Sequence, residues 1–343
     1  MGDVSMGLGL RQVEALPAGL LPAAAHELEE VLGGPTLIHL PGRHAPPLFV
    51  SVLLHGNETT GWDAVRQVLA KYRDTLLPRA LSLFVGNVAA ARLAARRLDG
   101  QLDYNRIWPG GEGTASAEGR MAESVLQEMQ RRGVFASVDV HNNTGTNPHY
   151  ACVNRLDHRS LRLATLFGRL VIHFTRPTGT QAAAFASFCP AVTLECGKPG
   201  HPYGVEHAAQ FLDACLHLTE LPDHAVPAHD IDLFRSVAQV TVREEIPFSF
   251  DSADCELRLL RELDHQNFTE MPVGFVWGHM LEGLGTCPVL ARDEAGRDVT
   301  REYFEVRGAR LLARKRVMPS MLTLDERVIR QDCLCYLMER VEI

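Results

Sequence analysis

The chain has 343 residues, 46% of them hydrophobic and 22% charged, the balance of an ordinary globular protein rather than a disordered one. Its 34 basic and 42 acidic residues give a net charge of −8 without any dense basic run, which argues against nucleic acid or an anionic membrane as partner and leaves small-molecule chemistry. No apolar stretch approaches the roughly 20 residues of a membrane-spanning helix. Glu14, Pro17 and Pro22 interrupt any signal-like core, and Met6 stands where acylation at Gly2 would want Ser or Thr, so a cytoplasmic protein is expected. The eight Cys form no C-x-x-C pair, which fits reduced thiols.

Residues 1–35 read as a leader with a helical patch over 23–32, and 36–40 as a short strand. The Pro and Gly cluster at 41–47 is expected to turn the chain. From Leu48 an unbroken apolar run leads into His55, Gly56, Asn57 and Glu58, which predicts a strand buried on both faces of a parallel sheet, with His55 at its carboxyl end. Open α/β sheets bind ligands at that edge. His55 and Glu58 can turn toward one point if Gly56 lets the backbone bend sharply. Imidazole nitrogen and carboxylate oxygen are ligands that zinc accepts, and a catalytic zinc keeps three protein ligands, so one more is needed.

Trp62, Val65, Val68, Leu69 and Tyr72 recur at helical spacing, and 81–85 is the next buried strand, which implies a parallel pair joined by a right-handed crossover. Residues 86–97 read as a helix, 103–110 as a loop and 117–132 as a helix. The strand at 134–140 ends on His141, a second imidazole at a strand end. Asp139 shares a face with His141 and is placed to orient a ligand. Further strands at 170–174 and 191–194 follow, the second ending on Glu195. Beyond the Pro- and His-bearing segment 221–230, short apolar runs alternate with turns. The expected architecture is α/β: a mixed, largely parallel sheet sandwiched by helices over residues 1–225, with a smaller β-rich domain over 226–343.

Four blocks carry a resemblance: HGNETTG at 55–61, DYNRIWPG at 103–110, DVHNNTG at 139–145 and TLECGKPGHPYG at 193–204. In this order they resemble the succinylglutamate desuccinylase and aspartoacylase family, relatives of the zinc carboxypeptidases. The resemblance implies one zinc ion per chain and hydrolysis of the amide of a small N-acyl amino acid. Carried over, it makes His55, Glu58 and His141 the metal ligands, Glu195 the general base, and Asn105 with Arg106 the grip on the substrate's carboxylate. A further family Arg, which would steady the oxyanion, has its nearest counterpart in Arg97, with Arg96 beside it.

The chain departs from the family in places. Tyr104 and Trp108 replace smaller residues, and no Arg follows His141 in 142–149 or lies in the Ala-rich 181–187. If recognition of a succinyl carboxylate needs such an Arg, succinylglutamate is not the substrate. A carboxypeptidase-type peptidase and a non-catalytic zinc-binding protein are the rival readings. The sequence holds no G-x-S-x-G elbow, Walker lysine loop or dinucleotide glycine motif.

Overall fold

A computed structural model of the chain describes residues 4–6, 9–252, 254–281 and 286–342. Met1 and Gly2, read above against an acylation signal, lie outside the described residues. Internal contacts divide the chain into two units, Met1–Asn142 with His149–Asp232, and Asn143–Pro148 with Leu233–Ile343.

In the first unit the order is β1 (Val4–Met6), β2 (Leu10–Val13), α1 (Leu28–Leu32), β3 (Thr36–Leu40), β4 (Gly42–Val52), α2 (Thr60–Lys71), β5 (Leu77–Val85), α3 (Val88–Arg92), α4 (Ala117–Arg132), β6 (Ala136–His141), β7 (Tyr150–Val153), α5 (His158–Phe167), β8 (Leu170–His173), α6 (Gln181–Phe185), β9 (Ala191–Glu195) and α7 (Pro202–His217). The strands hydrogen-bond in the order β1-β2-β3-β5-β4-β6-β9-β7-β8. The central four, β5-β4-β6-β9, are parallel throughout. β3 and β7 flank them in the antiparallel sense, so the sheet is mixed and largely parallel, as expected.

Alternation along β4 explains its apolar run. Leu48 and Val50 meet Val65, Val68 and Leu69 of α2 and Leu212 and Leu216 of α7 on one face. Phe49 stacks on Phe185 of α6 at 4.5 Å between ring centroids on the other face, where Val125 and Met129 of α4 join the same core. A strand covered by helices on both sides has no face that needs polar residues. Helix α4 fills the predicted span because it carries both of its end signals. The Ser116 side chain accepts from Gly119 N at its start, and Gly133 takes φ 69° at its end.

Local expectations differ from the structure in three places. The 41–47 cluster does not end a strand, since β4 starts at Gly42 and runs through Pro46 and Pro47, with its register shifting between His44 and Leu48. The leader contributes β1 and β2 as edge strands. The helix expected over 86–97 is only α3, because the Asn87 side chain caps its start by accepting from Ala90 N and Ala94 turns left-handed at φ 48° just past its end.

The second unit comprises β10 (Asp232–Val242), β11 (Phe248–Ser249), β12 (Leu257–Leu259), β13 (Val276–Met280), β14 (Val289–Arg292), α8 (Thr300–Tyr303), β15 (Phe304–Arg307), β16 (Arg310–Ala313), β17 (Met318–Ser320), α9 (Glu326–Gln331) and β18 (Cys335–Arg340). β10 pairs antiparallel with β14 and β18, and a separate sheet runs β11-β12-β13-β16-β15. Trp277 is fully buried in its core, with Phe275 packed against it. The short 143–148 segment is tied into this unit by Thr146 Oγ1 donating to Asp264 (2.8 Å) and Met321 N donating to Asn147 Oδ1 (3.0 Å).

Candidate metal centre and active site

The parallel order β4-β6-β9 sets three chain exits side by side, and the chemistry-bearing residues sit on them. His55 and Glu58 follow β4, His141 ends β6 and Glu195 ends β9. His141 and Glu195 are register partners, and Glu195 is paired on its other side with Tyr150. All four side chains are buried.

Two imidazoles and one carboxylate converge. His55 Nδ1 lies 2.8 Å from Glu58 Oε1, and His141 Nδ1 lies 2.7 Å from Glu58 Oε2. The three residues each offer a ligand atom within 4.8 Å of the others. The far nitrogen of each ring is held by a second carboxylate: His55 Nε2 lies 2.9 Å from Asp103 Oδ1, and His141 Nε2 lies 2.8 Å from Asp139 Oδ2. A carboxylate only accepts, so each Nε2 donates its proton to an aspartate, while each Nδ1 faces Glu58, where an ion held between them would take its lone pair.

The supporting atoms are themselves braced. Ser51 Oγ donates to Asp139 Oδ1 at 2.7 Å, Asn105 N donates to Asp103 Oδ1 at 2.8 Å, and Asn142 N donates to Glu58 Oε2 at 3.0 Å. Arg96 bridges Asp103 Oδ2 (3.1 Å) and Glu58 Oε1 (3.5 Å).

Charge favours a cation in the middle. Burial opposes a proton on His55, as does Arg96, yet Glu58 and Asp103 outweigh them and its pKa is raised. Burial likewise opposes one on His141, where Asp139 and Glu58 prevail and raise it well above the usual imidazole value. Burial would push Glu58 up, but the two rings hold its carboxyl well below the usual range. The same surroundings that favour a proton on each ring would favour a metal cation in its place: two imidazole nitrogens and a carboxylate oxygen, with each Nε2 held from behind by an aspartate, suit a zinc ion with a coordination position to spare.

The turn that carries Glu58 is fixed by close approach. A Cβ on Gly56 would collide with the backbone of Ala90 and Ala91 in α3, and Gly56 N donates to Arg96 O at 3.1 Å. The sharp bend expected at Gly56 is made without a left-handed φ there; the left-handed residue of this turn is the buried Leu53, at φ 56°. Such a conformation costs a non-glycine residue about 1–2 kcal/mol.

Asn105 is buried, with its Oδ1 accepting from Gln181 N (3.0 Å) and its Nδ2 3.2 Å from His141 Nε2. Arg106 NH1 donates to Asn105 O at 2.9 Å, and its charge helps hold Asp103 ionised. The unusual Tyr104 and Trp108 anchor this loop: Trp108 Nε1 donates to Tyr104 O (2.9 Å), and its ring sits edge-on to Phe84 and Phe185. Arg97 NH1 donates to Gln101 O at 2.9 Å, and Arg96 is the residue that meets the carboxylates. Asp103 and Arg96 went without a role in the sequence. The available signal was Asp103 standing two residues before Asn105 within a matched block. Of the further His, His149 and His207 bond one another through their Nδ1 atoms at 2.9 Å.

Residues 44–221 match the family model described as the succinylglutamate desuccinylase/aspartoacylase catalytic domain. A succinylglutamate desuccinylase of Yersinia enterocolitica is 28% identical over 262 residues, 68% of this chain and 74% of that protein. Among solved structures, a succinylglutamate desuccinylase from Vibrio parahaemolyticus superposes with a TM-score of 0.59 at 13% identity, covering 89% of this chain and 86% of that one. Murine aminoacylase 3 gives 0.55 at 14% identity, covering 88% and 98%. At such identities the structural likeness speaks for the fold.

Proposed function

The chain belongs to the succinylglutamate desuccinylase/aspartoacylase family of acyl amino acid deacylases, and from that premise we propose that it hydrolyses the amide bond of an N-acyl amino acid, with zinc held by His55, Glu58 and His141. The observation that carries this reading is the convergence of both Nδ1 atoms on Glu58, one strand from Glu195.

When bound, zinc supplies Lewis acidity and lowers the pKa of water toward about 7. Glu195 accepts the proton of the attacking water and delivers it to the departing amine nitrogen as the C–N bond breaks, a role worth on the order of 10²- to 10⁴-fold in rate. Arg106 presents a planar fork to the amino acid's carboxylate, and Asn105 lines the same wall beside His141. Arg96, at the edge of the cluster, is better placed than Arg97 to steady the negative charge that develops on the carbonyl oxygen.

The test is a panel of N-acyl amino acids and short peptides given to the zinc-loaded protein and to E195Q. Wild-type protein should release free amino acid, and E195Q should keep its zinc while losing nearly all turnover. Cleavage of peptides alone would favour the carboxypeptidase reading, and undiminished turnover by E195Q would remove the proposed base.

A further inference from the structure

The exits of β4, β6 and β9 are joined by one side chain at the point where sheet pairing gives out. Cys196 N donates to His141 O (3.0 Å), which carries the β6–β9 pairing one residue past the His141–Glu195 register. Gly197 then turns left-handed at φ 70°, and here the bond between the two branches comes from a side chain: Asn142 Nδ2 donates to Gly197 O at 2.7 Å. Asn142, the buried residue just past β6, faces the β4 branch as well. Its Oδ1 accepts from Thr60 N, at the start of α2, at 3.2 Å, and its own N donates to Glu58 Oε2 at 3.0 Å.

The orientation of this amide is fixed, since Thr60 N can only donate and Gly197 O can only accept. Asparagine is also the residue type that such a bridge asks for. Aspartate has the same shape but no donor, leucine has similar bulk and neither group, and the amide of glutamine sits one methylene farther out. Packing holds both ends of the bridge. A Cβ on Gly61, next to Thr60, would come 2.9 Å from Val140 and Val52 side chains, and one on Gly197 would come 3.1 Å from His149 Nε2. Gly204, where the loop after β9 returns, lies against Cys196 O with no room for a side chain.

We propose that Asn142 is a positioning residue whose side-chain amide holds the Glu195 branch at a fixed offset from the turn that carries Glu58, and so sets the reach of the base to the cluster. This rests on the deacylase reading above, in which Glu195 moves the proton from water to the amine nitrogen. Glu195 stands two residues before Gly197, so the tie acts on it through the backbone. The contact of Asn142 with Glu58 is made by its backbone N and survives a change of side chain. Loss of the amide should therefore leave the ligands in place and disturb the base, and a displacement of about 1 Å at a reacting group can cost on the order of 10² in rate.

The experiment measures kcat, KM and bound zinc for N142L, N142D and the double variant N142L/E195Q, on an N-acyl amino acid that the wild type cleaves. Amide hydrogen exchange of the 193–204 segment is read alongside by mass spectrometry. N142D, which keeps the acceptor for Thr60 and loses the donor to Gly197, covers the case in which N142L does not fold. Both single variants should keep their zinc, lower kcat about 10- to 100-fold with KM changed by no more than about twofold, and exchange faster over that segment. In the double variant the leucine should add little to the loss from E195Q, because a residue that acts through Glu195 then has nothing to act on. Multiplied losses in the double variant, zinc lost from N142D, or a wild-type kcat in N142D overturns the proposal while leaving the deacylase reading intact. If the wild type cleaves no N-acyl amino acid, that reading fails. Exchange then decides the tie by itself: faster exchange in N142D with zinc retained supports it, and unchanged exchange overturns it.

Discussion

His141 and His55 both turn Nδ1 toward Glu58 and Nε2 toward an aspartate, but the two halves of the centre are built differently. Asp139 sits two residues before His141 on the same buried strand, with no exposed side-chain surface and its other oxygen bonded to Ser51 on the neighbouring strand. Asp103 reaches His55 from a loop, with 14% of its side chain exposed and Arg96 bonded to its other oxygen. One half inherits its geometry from the sheet, and the other from an ion-pair network that water can partly replace. His39 gives the contrasting case of a buried imidazole with no carboxylate against it. Its Nδ1 meets Ser82 Oγ at 2.9 Å, and burial, aided by Arg132, pushes its pKa down to about 4.

Removing a ligand tests the contrast most severely. H141A should lose zinc outright, as should H55A. Elemental analysis showing full occupancy in either would break the assignment of that ring. Next come the supporting carboxylates, whose loss is expected to cost about 10- to 100-fold in zinc affinity. Competition with a chelating indicator should place D139N near the upper end and D103N near the lower. The reverse order would mean that the loop half is the more rigid.

His39 sharpens the comparison through pH. Its folded pKa lies below the unfolded value of 6.5, so the unfolded chain binds the extra proton first and stability is lost as pH falls from about 6.5 to 4. H39Q should remove roughly 2–3 kcal/mol of that loss, read as a flatter change of the urea midpoint between pH 7 and 4.5. An unchanged slope would show that burial does not hold this ring neutral. The smallest effect belongs to Arg97. R97A gives up one hydrogen bond to a backbone carbonyl and should shift stability by only about 1 kcal/mol, with kcat nearly unchanged, whereas R96A should lower kcat. Equal kcat losses would show that the two arginines share the role.

The sheet half of this centre was legible in the sequence because strand alternation puts positions two apart on one face, and an apolar run with no polar alternation marks a strand covered on both sides. His141, Asp139 and Glu195 could therefore be placed by strand logic, and His55 by the run that leads into it. The loop half follows no period. Nothing in the spacing of Arg96, Arg97 and Asp103 says which guanidinium turns inward, since that depends on where α3 stops and on Ala94 turning left-handed. The Gly56 expectation had the right residue and a different cause, because glycine frees a bend and permits a close approach alike, and only packing distinguishes the two. Pro46 and Pro47 misled for a similar reason, since a strand tolerates proline where its register shifts, as β4 does between His44 and Leu48.

The contact of Gly56 with α3 bears on how such an enzyme can be redesigned. The ligand-bearing turn rests on the backbone of Ala90 and Ala91 and is stitched to Arg96 O, so an insertion or deletion between those points would be transmitted to Glu58. Libraries aimed at new acyl chains should therefore hold the length of 88–96 constant.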